Sequence, residues 1–246
     1  MIFEAIQHML APAPREVRAL GYVREAIAID ARYARCRDAW AYHLDKCQQH
    51  ILTAAASLAP GSTVMIIGSG ALHDVPLKGL MERGHSLILV DIVHLPKVRK
   101  FCKGRVQLIE QDVTGWVRPL FHKKSIAEIC DSLPEADLVI SLNILSQLPL
   151  NLLKYATRHH IPLPDDFVQN ITEDHLKMLS AVASQTLLIS DLERSYKKGS
   201  ELLKKEPALP DNGLPAPKDK WDWHLAPEGE LDREISLIHH VACWQI

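Results

Sequence analysis

The order of segments predicts an α/β protein whose parallel sheet is covered by helices on both faces. Short apolar runs alternate with helix-like runs from Ser62 to Ser190, the pattern of strands buried on both sides. The run Val64 to Ile67 breaks into Gly68-Ser69-Gly70 and leads into a helical segment. A second apolar run, Leu87 to Val90, ends on an acid, Asp91. Together these give a three-layer αβα arrangement.

The elements follow in order. Residues 1–58 read as helical. Pro12 and Pro14 punctuate a first short helix, and from Arg15 to Leu58 there is no proline and a single glycine, Gly21. Ala39, Trp40, His43, Leu44 and Cys47 recur at helical spacing, and Ala59-Pro60-Gly61 stops the run. Residues 1–60 are therefore expected to form an N-terminal helical cap, and residues 61–246 the α/β domain. Strands are expected over 63–67, 86–90, 105–110, 136–142 and 185–190, and helices over 74–83, 95–102, 123–131, 148–157 and 171–183. Asn170 and Glu173 have the spacing of a capping box, which places a helix start there. Lys197-Lys198, Lys204-Lys205, the prolines from Pro207 to Pro217 and Asp211-Asn212-Gly213 predict a flexible lid loop over 191–220. Trp221 to Leu225 then reads as a strand, Ala226 to Gly229 as a turn and Leu231 to Ile246 as a long strand. This is a C-terminal antiparallel hairpin.

Composition narrows the function. The chain of 246 residues is 47% hydrophobic and 24% charged, with a net charge of −2. That balance supplies no global field for nucleic acid or an anionic membrane. No apolar run is long enough for a transmembrane helix, and MIFEAIQHML lacks the basic start of a signal peptide. The 5 cysteines form no CxxC pair. Free, buried thiols and a cytoplasmic location are expected. His159-His160 and His239-His240 are adjacent pairs, whose side chains point apart. No metal site is expected.

A glycine loop between strand and helix lets a ligand approach the backbone, and the helix start offers free N–H groups to an anionic group. Asp91 follows Gly70 by 21 residues, near the ~20-residue spacing of a ribose-binding acid. The dinucleotide fingerprint needs a third glycine where His73 stands, and no P-loop Gly-Lys-Ser/Thr follows.

The segments resemble the class I S-adenosylmethionine (SAM)-dependent methyltransferases across residues 61–246. Val64-Met65-Ile66-Ile67-Gly68-Ser69-Gly70 is similar to the family's first motif and Leu89-Val90-Asp91 to the second. Leu108 to Val113 is similar to the third, and Ala136 to Leu148 to the fourth. The resemblance implies a seven-stranded Rossmann-like methyltransferase fold, SAM as cofactor and transfer of its methyl group to an O, N or C atom of a small molecule. It implies that Asp91 holds the ribose, Asp112 the adenine amino group, and that Asn143 lines the cleft. Ser69, Ile92 and Val113 are candidate cofactor contacts beside Gly68 and Gly70. The chain departs from the pattern at Ile66, where an acid is usual, and at Leu72, where a glycine is common. Asp74 is the candidate substitute for the missing acid.

For the transfer itself the candidates are His43 as base, Arg35 as partner of an acidic substrate group, and His224 reaching in from the hairpin. A monomer or homodimer is expected. The competing readings are a non-catalytic binding or regulatory protein on the same fold, and a protein or RNA methyltransferase.

Overall fold

A computed structural model describes residues 11–125, 127–128 and 132–246. The expected first short helix and part of the 123–131 helix lie outside these residues. Helices α1 (Arg15–Ala19), α2 (Tyr22–Arg35) and α3 (Arg37–Ala54) lead into β1 (Thr63–Ile67), α4 (Leu77–Glu82), β2 (Ser86–Asp91), α5 (Pro96–Cys102) and β3 (Gln107–Glu110). Then come α6 (Val117–Phe121), β4 (Leu138–Leu142), α7 (Leu148–His159), α8 (Phe167–Val182), β5 (Thr186–Lys198), β6 (Glu201–Pro207), β7 (Asp219–Ala226) and β8 (Ile235–Gln245).

The sheet order is β3-β2-β1-β4-β5-β8-β7, with β6 pairing β5 alone. Strands β1 to β5 pair in parallel, and β8 joins antiparallel between β5 and β7. This is the expected Rossmann-like methyltransferase fold with its antiparallel C-terminal hairpin. The sheet has 8 strands rather than seven, the extra one being β6.

Alternation along the strands assigns the two faces. Val64, Ile66, Leu89, Leu138, Ile140, Leu187 and Ile189 pack with Ile51 of α3, Leu80 of α4 and Val98 of α5. Met65, Ile67, Val90 and Val139 meet Leu179 and Val182 of α8 on the opposite side. The period of two in the pleat sends successive side chains to opposite layers, so continuous apolar runs are buried on both faces. Helix α3 belongs to the first helix layer. Trp40 donates to the Leu225 carbonyl at 2.9 Å, and Lys46 and His50 bind Asp219 at 2.6 and 2.9 Å, tying α3 to β7.

Helices α1 and α2 lie elsewhere. Val17, Leu20, Val23 and Ile27 pack against Val93, Leu95, Val117, Leu145 and Leu148, residues that follow the carboxyl ends of β2, β3 and β4. They roof the edge where ligands of doubly wound sheets bind. Among the described residues no helix is long and apolar enough to cross a membrane.

Several expectations are corrected. The stretch 191–220 is not a single lid loop: β5 runs on to Lys198 and turns at Gly199 (φ 57°) into β6. The charges read as loop signals pair instead, Lys205 with Glu193 at 2.6 Å and Lys198 with Glu234 at 2.7 Å. The residues of 123–131 that are described are not helical, and the helix of this region is the earlier α6. Helix α8 starts at Phe167, so Asn170 and Glu173 lie inside it and form no capping box.

Candidate functional site

A cleft of about 440 Å³ opens at the carboxyl ends of β1 to β4. Gly68, Gly70, Asp74, Asp91, Ile92, Asp112, Val113 and Asn143 all line it. Ser69 does not: it is fully buried, and its hydroxyl lies 3.3 Å from His94 Nε2.

Backbone geometry explains the loop. Gly68 has φ 83°, and a Cβ there would stand 2.8 Å from the Leu142 carbonyl oxygen and 2.9 Å from Ile144 Cβ. The first glycine therefore lets the end of β1 press against the end of β4. Gly70 donates its N–H to Asp91 Oδ2 at 2.8 Å, and Ile92 donates to Oδ1 at 2.8 Å. Each carboxylate oxygen keeps lone pairs for a further donor. Burial holds the Asp91 carboxyl above its usual range, opposed by the Gly70 N–H. Leu72, where a glycine is common, adopts φ 68°, so the glycine-like backbone persists with a β-carbon on it.

Asp112 serves first as a cap. Its Oδ1 accepts from the Thr114 N–H and hydroxyl at 2.9 and 2.6 Å, and its Oδ2 from Val117 N–H at 2.9 Å. This fixes the turn between β3 and α6 at the cleft wall. Ile66 cannot replace the expected acid, being fully buried among the apolar residues of the α3 face. Asp74 comes from the loop before α4 and accepts from Asn143 Nδ2 at 2.9 Å. Burial raises its carboxyl. Asn143 reaches it from a left-handed backbone, φ 54°.

The three candidates for the transfer step fare differently. His43 is buried against Trp223, with parallel rings 4.0 Å apart, and its Nδ1 accepts from Trp221 Nε1 at 3.0 Å. Burial lowers it to about 3, so the ring is neutral. Its Nε2 faces the Asn143 amide nitrogen at 3.2 Å, so both ring nitrogens are engaged and His43 has no free nitrogen to act as base. Arg35 binds Glu230 through two contacts of 2.9 and 2.6 Å at the surface, pinning α2 to the loop before β8. His224 is exposed, on the outward phase of β7 between the inward Trp223 and Leu225. None of the three presents a free group to the cleft.

His43, Cys47 and Asp74 bring ligand atoms within 4.8 Å of one another, an arrangement hidden in the sequence because Asp74 comes from another element. A metal on His43 Nε2 would need that nitrogen bare and Nδ1–H facing an acceptor. The Trp221 donor opposite Nδ1 forbids this.

Sequence reasoning missed a second group on the cleft wall. Arg194 and Tyr196 of β5, Trp223 of β7 and His239 of β8 all line it. Behind them Asp191 is held by Arg194 Nε at 2.9 Å and by the Ser146 hydroxyl. Asp191 and Arg194 share a face because a β-bulge between Asp191 and Glu193 shifts the phase of β5 by one residue. Only the adjacent His239-His240 pair signalled anything here.

No protein-family model matches the chain, and neither does any curated protein. Solved structures similar to it include the 1,6-didemethyltoxoflavin-N1-methyltransferase of Burkholderia thailandensis, crystallised with 1,6-didemethyltoxoflavin and S-adenosylhomocysteine. It has 17% identity and a TM-score of 0.45, over 95% of this chain and 91% of that one. A SAM-dependent methyltransferase of Geobacter sulfurreducens, in complex with S-adenosylhomocysteine, has 13% identity and a TM-score of 0.35, over 62% of this chain and 49% of that one. A protein of Rhodobacter sphaeroides described as a Zn-dependent alcohol dehydrogenase has 16% identity and a TM-score of 0.38, over 57% of this chain and 44% of that one. The chain thus spans about half the length of the last two. Likeness at this level assigns neither activity nor substrate.

Proposed function

We propose that this protein transfers the methyl group of SAM to a small-molecule acceptor. The observation that carries the reading is the convergence of Gly68, Gly70, Asp91, Asp112 and Asn143 on one open cleft at the carboxyl ends of β1 to β4. The remaining lone pairs of Asp91 suit the ribose hydroxyls, and Ile92 and Val113 offer an apolar slot beside Asp112 for the adenine. Asp74, presented by Asn143, takes over from the acid missing at Ile66 and faces the ammonium of the methionyl end. SAM brings an already activated methyl group, so the chain has chiefly to align the acceptor and exclude water. Helices α1 and α2 act as the cap that does so.

Isothermal titration with SAM and, separately, with S-adenosylhomocysteine tests the reading. Micromolar binding is expected of both. A folded protein that binds neither overturns it and favours the non-catalytic reading, with Ile66 and Leu72 as marks of a lost site.

A further inference from the structure

Strands β5, β7 and β8 run past the ends of the parallel strands and wall one side of the cleft. In their cross-strand register Arg194 stands opposite His239, and His239 opposite Trp223. Trp40 of α3 and Ile29 of α2 complete the chamber. The carboxylates of Asp74, Asp91 and Asp112 belong to the other half of the cleft, around the glycine loop.

Two donors in this wall are left over. Arg194 Nη2 and Trp223 Nε1 are buried and have no hydrogen-bond partner. Both atoms are closed off as the side chains stand, so a ligand's acceptor reaches them only when those side chains shift; since buried donors in native folds are almost always satisfied, the two orphans are the chamber's unmet hydrogen-bond demand. Aromatic rings surround them: Trp223 meets Trp40 edge-on at 4.9 Å and His239 at 5.6 Å.

His239 adds a nucleophile-facing atom. Its Nδ1 lies 3.3 Å from Asp191 Oδ2, both side chains being buried. The contact is not aligned as a full hydrogen bond, a looseness common before substrate binds. A carboxylate opposite Nδ1 keeps the proton on that nitrogen and leaves Nε2 bare. Nε2 has no partner and is not among the sealed ring nitrogens. Burial lowers His239 to about 4, so its ring is neutral.

We propose that this chamber is the methyl-acceptor site and takes an aromatic carboxylate bearing a hydroxyl, the carboxylate received by Arg194 and the hydroxyl by His239 Nε2. This rests on the methyl-transfer reading. In the step, Nε2 takes the hydroxyl proton while the oxygen attacks the methyl carbon. The O–C bond forms, the C–S bond breaks, and its electron pair stays on sulfur. The products are the methyl ether, S-adenosylhomocysteine and an imidazolium that loses its proton to water. Asp191, Ser146 and the bulge position His239.

The test begins with S-adenosylhomocysteine titrated into the wild type and Arg194→Gln. Equal affinity is expected, and failure of the wild type to bind would refute the underlying methyl-transfer reading instead. With S-adenosylhomocysteine saturating, benzoate and benzamide are then titrated separately. Benzoate should bind the wild type at least ~10-fold more tightly than benzamide, as charge-assisted pairing with a guanidinium demands. Arg194→Gln should erase that preference. Equal binding of the two, or binding of neither, overturns the acceptor assignment. Nitrogen-15 spectra of the wild type at pH 7 should show His239 protonated at Nδ1, with an Nε2 resonance that moves on adding 3-hydroxybenzoate. A proton on Nε2 removes His239 from the base role.

Discussion

Leu72 holds a left-handed backbone with φ 68°, which costs a residue with a β-carbon about 1–2 kcal/mol. Its side chain also packs against the core of the α3 face. Leu72→Gly and Leu72→Ala both lose that packing, but only the glycine relieves the backbone. Chemical denaturation should therefore find Leu72→Gly more stable than Leu72→Ala by about 1 kcal/mol, the reverse of the usual order of these residues. At Asp91 the effect falls on the ligand. Asp91→Ala should weaken SAM binding by about 1–3 kcal/mol, and calorimetry showing unchanged affinity would remove Asp91 from the ribose site. These positions were legible in the sequence because a glycine loop and a strand-end acid are local patterns. Arg194 and His239 were not, since their partnership spans strands 45 positions apart in the chain, as the companion Ser195–His240 bond shows.

The same contrast holds for whole elements. The parallel strands were readable because burial on both faces leaves them uniformly apolar. Strand β6 was hidden because it is exposed along nearly its whole length and its lysines resemble a loop. Its identity depends on bonds to β5, including the ion pair of Lys205 with Glu193 at 2.6 Å. Hydrogen exchange should thus find alternate amides of Glu201–Pro207 slower than those of Leu209, Asp211 and Asn212, which lie outside the ladder. Uniformly fast exchange across 201–212 would restore the flexible-loop expectation. Helix α8 was misjudged at its start for a related reason. Phe167 and Ile171 are buried in the tertiary core, and that packing outweighs the local capping preference of Asn170.

Across the whole molecule, buried neutral histidines make the fold sensitive to acid. Burial lowers His43 to about 3, and His175 and His239 to about 4. In the unfolded chain each titrates near ~6.5, so below that pH the unfolded state binds the extra protons. Stability is complete above about pH 6.5 and falls as the pH drops toward the folded values, by up to ~1.4 kcal/mol per pH unit for each histidine. Urea denaturation at pH 7 and pH 5 should show the loss. His175→Gln, which removes the ring 2.9 Å from Ser141 Oγ, should be less stable at pH 7 but shallower in its pH dependence by about one proton. A slope identical to that of the wild type would show that His175 is not among the groups responsible.

The bulge between Asp191 and Glu193 has one more consequence. Without it, β5 would meet β8 one residue out of phase, and Glu193 would stand where Arg194 now faces His239. An acid would replace a guanidinium in the chamber, and the ligand it welcomed would be a cation. The charge selectivity of this wall is therefore encoded in chain length as much as in residue identity. A lineage that gained a single residue between Ile189 and Arg194 could switch ligand class without any substitution on the wall.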